Sequence, residues 1–220
     1  MSPPVLAYRR VGGGRPIVWL HGGSGPDWDE IAASLSGEYL SYIPDLRGYG
    51  ASSRLPPFGP EAAVGDVIAL LDHLGLASAV LAGHSSGGIV AYLTALAHPD
   101  RVSALVLAEA PPPRPHDLRP VRPDGELPYE WAARRTTLDW LRDPDPAIWD
   151  RLAEIEAPTL VIAGGPRSPL SQDSIAEMAA RIPSACLVTI DAGHLVHKHR
   201  PADFASAVSA FLRRLPHPPE

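Results

Sequence analysis

An apolar run and a glycine-flanked serine meet in the stretch AVLAGHSSGG, residues 79–88, and a second apolar run, Ile89–Leu93, follows directly. The pattern predicts a strand, a tight turn and a helix, with Ser85 at the turn. The glycines let strand and helix pass closely without Cβ collisions, while the serine takes a strained backbone conformation. We therefore expect a nucleophile elbow that projects the Ser85 hydroxyl into a cleft. The alternative is a glycine-rich turn with an ordinary surface serine.

The rest of the chain repeats this alternation of strand and helix. Between residues 60 and 75, and again between 204 and 215, apolar residues fall on one face of a helix. Strand-length apolar runs occur at 5–11, 16–20, 39–44, 79–82, 102–108, 159–163 and 186–190. Such alternation predicts an α/β fold with a mostly parallel central sheet and helices on both faces. At 220 residues, the chain suits a single domain spanning residues 1–220.

Residues 111–150 interrupt the alternation. Seven prolines forbid regular structure in the first part of this segment, and a helical stretch with three tryptophans follows. We interpret the segment as a short inserted cap or lid. Trp131, Trp140 and Trp149 are candidates to line a substrate pocket between cap and sheet. Equally, they could only attach a small lid to the body.

Composition and charge exclude several classes of partner. The net charge is −6 and the 19 Lys and Arg residues form no long run, so we expect no nucleic-acid partner. The N-terminus shows no charged leader followed by an apolar stretch, and no apolar run approaches the roughly 20 residues that a membrane helix needs. These features predict a cytoplasmic protein without a membrane partner. The single cysteine, Cys186, cannot form an internal disulfide, and its apolar run favours core packing over a role as nucleophile.

A serine hydroxyl needs a base within hydrogen-bond reach, and the base needs a carboxylate that fixes its tautomer. Both should stand at the carboxyl ends of strands, which form the cleft of an open parallel sheet. The best base is His194, because it lies in the loop between the last strand and the final helix. His197 and His199 are expected to be surface residues. The three histidines lack a carboxylate at convincing metal-site spacing, so we predict neither metal nor cofactor.

Backbone N–H groups are the expected donors of an oxyanion hole, which stabilises charge developing on a tetrahedral intermediate. One would come from Ser86, directly after the nucleophile. The other would come from the glycine-rich turn that follows the run at 16–20, where we choose Gly23. A plain tight turn is the alternative for these glycines.

Several motifs together resemble the α/β-hydrolase fold family, in its serine-nucleophile, esterase-like branch. They are His21-Gly22-Gly23, the segment 45–52 (DLRGYGAS), the segment 83–88 (GHSSGG) and Gly193-His194. They stand in the order and rough spacing of that family and span nearly the whole chain. The resemblance implies a cofactor-free hydrolase, and it implies a structural role for Asp45 and Arg47 at the base of the cleft.

The position of the acid departs from the usual pattern of that family. Its members commonly place the acid in a Gly-x-x-Asp loop after the strand that is here 159–163, but the residues from 164 to 169 are GGPRSP and contain no carboxylate. A minority place the acid at the end of the preceding strand, where Glu109 stands. The order Ser85, Glu109, His194 is then the expected one. Asp173 and Asp191 are weaker candidates, and Glu109 could also simply begin the proline-rich segment.

Two further departures are a single strand before residue 16, where the family commonly has two, and the small size of the cap. A small cap implies an open site. The sequence thus predicts a serine hydrolase that cleaves a carboxylic ester or related acyl bond of a small molecule. Thioesterase, lactonase, C–C hydrolase, peroxidase and aminopeptidase chemistries stay open, as do acyl transfer and a ligand-binding or regulatory protein with little turnover.

Overall fold

The computed structural model describes residues 6–215 and contains a seven-stranded sheet. The strands are β1 (Tyr8–Gly12), β2 (Arg15–Leu20), β3 (Tyr39–Pro44), β4 (Ala79–His84), β5 (Val102–Ala108), β6 (Thr159–Ala163) and β7 (Ala185–Thr189). Their order across the sheet is β1-β3-β2-β4-β5-β6-β7. Only the pair β1–β3 is antiparallel in the described sheet. The mostly parallel sheet expected from the sequence is confirmed.

Helices follow the strands on both faces of the sheet. They are α1 (Asp29–Leu35), α2 (Pro60–His73), α3 (Ser86–Ala97), α4 (Trp131–Arg142), α5 (Ala147–Arg151), α6 (Gln172–Arg181), α7 (Val196–His199) and α8 (Pro201–Leu212). Across residues 6–215, no helix combines the length and the apolar character needed to span a bilayer.

Two buried apolar clusters separate the sheet from its helices. Strand β4 shows the alternation that divides them, because Leu81 belongs to one cluster whereas Val80 and Ala82 belong to the other. The first cluster includes buried residues of α2, α3 and α6, and the second includes those of α1 and α8. Both faces of the central strands are therefore dry, which explains why their sequences are continuous apolar runs.

The strand predictions at 39–44, 102–108 and 159–163 coincide with β3, β5 and β6. The others differ by one to three residues at an end, and Val5, in the first predicted strand, lies outside the described residues. In the described structure a single strand, β1, precedes β2, as the sequence predicted. The helix predicted at 60–75 is α2.

The core position predicted for Cys186 is wrong, because its side chain is exposed. Cys186 lies on β7, one of the two edge strands of the described sheet, where four of the five residues are exposed. An apolar run at a sheet edge looks in sequence like a run in the centre, and only the strand order separates the two cases.

Residues 109–158 connect β5 to β6 and contain α4 and α5. The part before α4 has neither helix nor strand in the described structure, apart from an isolated bridge between Tyr129 and Tyr49. Two tryptophans attach the segment to the body. The indole N–H of Trp140 donates to Glu61 on α2 at 2.6 Å, and the guanidinium of Arg181 on α6 lies 4.7 Å from the ring centre of Trp149.

Candidate active site

Ser85 lies between β4 and α3 in a backbone conformation that L-residues rarely adopt, with φ of 52° and ψ of −120°. The glycines at both sides permit the turn, since a Cβ at Gly83 would overlap the carbonyl of Gly87, and one at Gly87 would overlap that of Leu20. The Ser85 N–H donates to the carbonyl of Ala108 on β5 at 3.0 Å. The turn predicted from the sequence thus holds Ser85 rigidly at the carboxyl edge of the sheet.

His194 approaches Ser85 from the loop that follows β7. Its Nε2 lies 3.0 Å from Ser85 Oγ, and its Nδ1 lies 3.1 Å from Oε2 of Glu109. A carboxylate can only accept a hydrogen bond, so in neutral His194 the proton is on Nδ1 and the lone pair of Nε2 faces the hydroxyl. This arrangement can take the proton of Ser85 and stabilise the imidazolium that results.

Glu109 directly follows β5, and its side chain is fully buried. Its Oε1 accepts from the Gly164 N–H at 2.5 Å and from Gln172 Nε2 at 3.4 Å, and its Oε2 accepts from the Ser168 hydroxyl. The φ of Glu109 is 47°, and Ser85 is the only other non-glycine residue with positive φ in the described chain. Strained backbone of this kind occurs mainly at functional sites.

The competing carboxylates have other surroundings. Asp173 is exposed in the first turn of α6, and Asp191 lies 3.1 Å from the guanidinium of Arg167 at the surface. Neither is hydrogen-bonded to His194 in the described structure. Of the three candidate acids, only Glu109 lies within hydrogen-bond distance of His194 in the described structure.

The expected oxyanion donors lie on either side of Ser85. Ser86 is the first residue of α3, so its N–H has no acceptor within the helix. Gly23 lies in the turn that the Gly25 N–H closes onto the carbonyl of Gly22 at 3.1 Å. A Cβ at the neighbouring Gly22 would be 3.3 Å from Cβ of Ser85, so this turn is in contact with the elbow.

A cavity of about 410 Å³ opens at Ser85 and His194, between the sheet and α4. Its lining combines polar and apolar residues, and the apolar ones are Pro111, Leu118, Leu138, Leu141, Pro169 and Leu170. The three tryptophans proposed for the pocket do not line it. Trp131 lines a neighbouring hollow, while Trp140 and Trp149 make the contacts with the body described above. One helical face of α4, with residues three and four apart, supplies part of the lining instead, namely Arg134, Thr137, Leu138 and Leu141.

A second layer of histidines, not predicted from the sequence, lies beneath the site. The Nε2 of His84 lies 2.8 Å from the carbonyl oxygen of His194. A carbonyl only accepts, so Nε2 of His84 is the donor and holds the backbone of the catalytic-base candidate. Burial, followed by the nearby His197, lowers the pKa of His84 to about 3. His84 is therefore neutral at physiological pH, which suits this position. In the sequence, the position of His84 at the end of a buried strand could have indicated this role.

The surface position expected for His197 is wrong, whereas His199 is exposed as expected. The His197 ring is packed 4.3 Å from the ring of Trp28 and 4.6 Å from that of His84, and its Nε2 lies 3.0 Å from Asp27. Burial opposes ionisation of Asp27, but its close interactions with His197 at 3.0 Å and Lys198 at 2.8 Å outweigh burial and lower its pKa to about 2. His197 is buried because it lies on the short helix α7, which turns its side chain inward.

The segment 45–52 supports the base of the cleft, as the resemblance implied. Asp45 accepts from the Ala51 N–H at 2.9 Å, and Arg47 donates to Asp66 at 2.7 Å. The buried His21 accepts from the Leu46 N–H at 2.9 Å and joins this segment to the glycine turn.

Known proteins resemble this chain over most of its length. A family model described as the alpha/beta hydrolase fold matches residues 15–154. The sn-1-specific diacylglycerol lipase ABHD11 of Mus musculus is 27% identical over 96% of this chain and 86% of its own length. Lipase LipV of Mycobacterium tuberculosis is 35% identical over 73% of this chain and 64% of its own. A thermophilic esterase of Thermogutta terrifontis, solved with malate bound, has a TM-score of 0.81 and 26% identity, over 95% of this chain and 93% of that one.

Proposed function

This chain belongs to the α/β-hydrolase fold family, and we propose that it is a serine hydrolase that cleaves a carboxylic ester or related acyl bond through Ser85, His194 and Glu109. The observation that carries the proposal is the hydrogen-bonded chain from Ser85 Oγ through His194 to the buried Glu109. Hydrolysis of acyl bonds agrees with the names of relatives, which include lipases and esterases.

In the first half of the reaction, Ser85 Oγ attacks the acyl carbon while its proton passes to His194 Nε2. The carbonyl oxygen becomes an oxyanion, which the N–H groups of Gly23 and Ser86 are proposed to stabilise. His194 then gives the proton to the leaving alcohol as the C–O bond breaks, and the acyl group remains on Ser85. Glu109 stays ionised throughout and stabilises the imidazolium.

In the second half, water replaces the alcohol. His194 takes a proton from the water as its oxygen attacks the acyl carbon, and returns a proton to Ser85 Oγ as the ester bond to the enzyme breaks. The products are a carboxylic acid and the free enzyme. Transfer of the acyl group to another alcohol would follow the same steps. Whether water or an alcohol accepts the acyl group then depends on which of them reaches Ser85 in the cavity.

Residues 111–150 are proposed to act as a small cap within a single domain. The support is that Pro111, Leu118 and Leu138, all from this segment, line the cavity beside Ser85. An acyl chain placed there is removed from water, and each buried CH₂ group contributes about 0.8 kcal/mol. The expected substrate is therefore a small molecule with an apolar acyl part.

Labelling by a small fluorophosphonate tests the proposal without knowledge of the natural substrate. We expect a single adduct, detected by intact mass and mapped to Ser85, and its loss in Ser85→Ala and in His194→Ala. The matched control is His98→Ala, because His98 is exposed at the end of α3, away from the cavity. An unlabelled but folded wild-type protein would contradict the hydrolase and favour a ligand-binding protein. Labelled protein that forms only transfer products in the presence of alcohols would favour an acyltransferase.

A further inference from the structure

One cation reaches the candidate active site from the cap. Arg134 lies on α4 and lines the same cavity as Ser85 and His194. Its guanidinium extends to the glycine turn on the body side, because a Cβ at Gly23 would overlap Nη1 of Arg134. A positive charge is thus held directly above one of the two proposed oxyanion donors.

Arg134 differs from its neighbours in having no acidic partner. Within residues 6–215, no carboxylate oxygen lies within the 4.0 Å that defines an ion pair around its guanidinium. The arginines on the outer side of α4 are paired, Arg135 with Asp139 at 3.4 Å and Arg142 with the same carboxylate at 3.6 Å. On the body side, Arg134 faces Tyr49. Burial raises the pKa of Tyr49 to about 12, so the phenol is neutral and does not balance the charge.

The surroundings of Arg134 favour an anion in the cavity. Its side chain is partly buried in a cavity that it shares with Leu138, Leu141 and other apolar residues, and a charge there attracts an opposite charge more strongly than it would in open water. Asp117 also lines the cavity, but it is exposed and outside ion-pair distance of Arg134. A hollow of about 260 Å³ on the other side of Arg134 is lined by a second cation, Arg119.

We infer that Arg134 binds a carboxylate of the substrate, so that the preferred acyl group carries a free carboxylate a few carbons from the bond that is cleaved. The inference rests on the proposed hydrolase function and names its substrate class. The planar guanidinium can donate two parallel hydrogen bonds to a carboxylate, which an ammonium group cannot do. The apolar lining of the cavity then contacts the carbon chain between the two ends.

A matched pair of substrates tests the inference. We compare the mono-p-nitrophenyl ester of adipic acid with p-nitrophenyl hexanoate, since both acyl groups have six carbons and differ in the terminal carboxylate. The readout is the ratio of kcat/KM for the anionic ester to that for the neutral ester. Arg134→Met should lower this ratio about 10- to 100-fold, the usual effect of losing hydrogen bonds to a charged group. Arg134→Lys should recover only part of it. Arg135→Met, on the solvent side of the same helix, should leave the ratio unchanged.

A second measurement does not depend on turnover. Free adipate should slow fluorophosphonate labelling of Ser85 in the wild-type protein, and this protection should be lost in Arg134→Met but retained in Arg135→Met. Equal losses of activity on both esters in Arg134→Met would overturn the inference, because Arg134 would then act on the glycine turn and not on the carboxylate. Absence of both anionic preference and protection in the wild type would also overturn it. Failure of Ser85 to be labelled at all would instead contradict the proposed function.

Discussion

The carboxyl ends of β5 and β6 are adjacent in the sheet and have exchanged roles relative to the pattern that the sequence resembles. That pattern has its acid in the loop after the strand that is here β6, whereas this chain has no carboxylate in residues 164–169 and has Glu109 at the end of β5. The loop after β6 now donates hydrogen bonds to the acid through Gly164 and Ser168. The side chain of Gln172, the first residue of α6, also donates to Glu109.

Carboxylates at two different positions in the chain can therefore reach the same point in space. Neighbouring parallel strands lie about 4.8 Å apart, a gap that one additional side-chain carbon helps to bridge. The Glu109 N–H donates to the carbonyl of Ile162 on β6 at 2.8 Å, which fixes the root of the side chain. Glutamate at the end of β5 therefore reaches the histidine that an acid after β6 would serve.

The largest expected effect comes from removing the charge at the end of β5. Glu109→Gln should lower kcat about 10³- to 10⁴-fold, because an amide can present a donor to His194 and favour the wrong tautomer. The measurement is steady-state hydrolysis of p-nitrophenyl hexanoate, with circular dichroism to verify folding. Asp173→Asn is the control, since Asp173 is exposed on α6, and it should keep wild-type kcat. Equal kcat in Glu109→Gln and wild type would remove Glu109 from the proposed mechanism.

A smaller but still large effect is expected from crowding the end of β6. A Cβ at Gly164 would overlap the carbonyl of Gly193 and lie 2.9 Å from Cδ of Glu109, so it would push the His194 loop away from the acid. We expect Gly164→Ala to lose about 1–3 kcal/mol of unfolding free energy. We also expect about 100-fold lower kcat, the cost of a displacement near 1 Å.

Urea unfolding and steady-state kinetics measure these two effects. The control is Gly65→Ala in α2, where a Cβ would meet no atom within 4 Å, and alanine should raise helix stability by up to about 1 kcal/mol. An active and fully stable Gly164→Ala protein would mean that the loop after β6 is not packed tightly against Glu109 and the His194 loop.

The smallest effect should come from one donor in the β6 loop. Ser168→Ala removes the hydroxyl that donates to Glu109 and should lower kcat about tenfold while the protein stays folded. Ser171→Ala should behave in the opposite way. It removes the cap of α6, in which Ser171 accepts from the Ser174 N–H at 3.2 Å, so it should cost about 0.5–2 kcal/mol of stability without a change in kcat. If both variants changed kcat equally, the donors around Glu109 would have no specific role.

The strands and the elbow could be predicted because their signals are local. Apolar runs such as 102–108 reflect burial on both faces of the sheet, and the spacing of glycines around Ser85 reflects a turn that only those residues permit. Two of the predictions that failed concern exposure. Cys186 was misjudged because an edge strand has the same local sequence pattern as a central strand. His197 was misjudged because a short helix that turns inward has the same local pattern as one at the surface.

The pocket could not be predicted for a related reason. Trp131, Trp140 and Trp149 are the largest side chains of their segment, yet their contacts depend on how α4 rotates against the body. The same rotation turns Arg134 inward and Arg135 outward, although the two residues are adjacent and identical in type.

By itself, the sequence determined the strand and helix alternation and the serine at the turn, because these depend on periodicity and on the residues that a strained turn allows. It also predicted His194 as base from its place in the loop after the last strand. Only the tertiary structure brought Glu109 to within 3.1 Å of His194 and left Arg134 without an acidic partner. Those features depend on strand order and on the rotation of helices. Both are set by packing between residues distant in the chain, which no local pattern encodes.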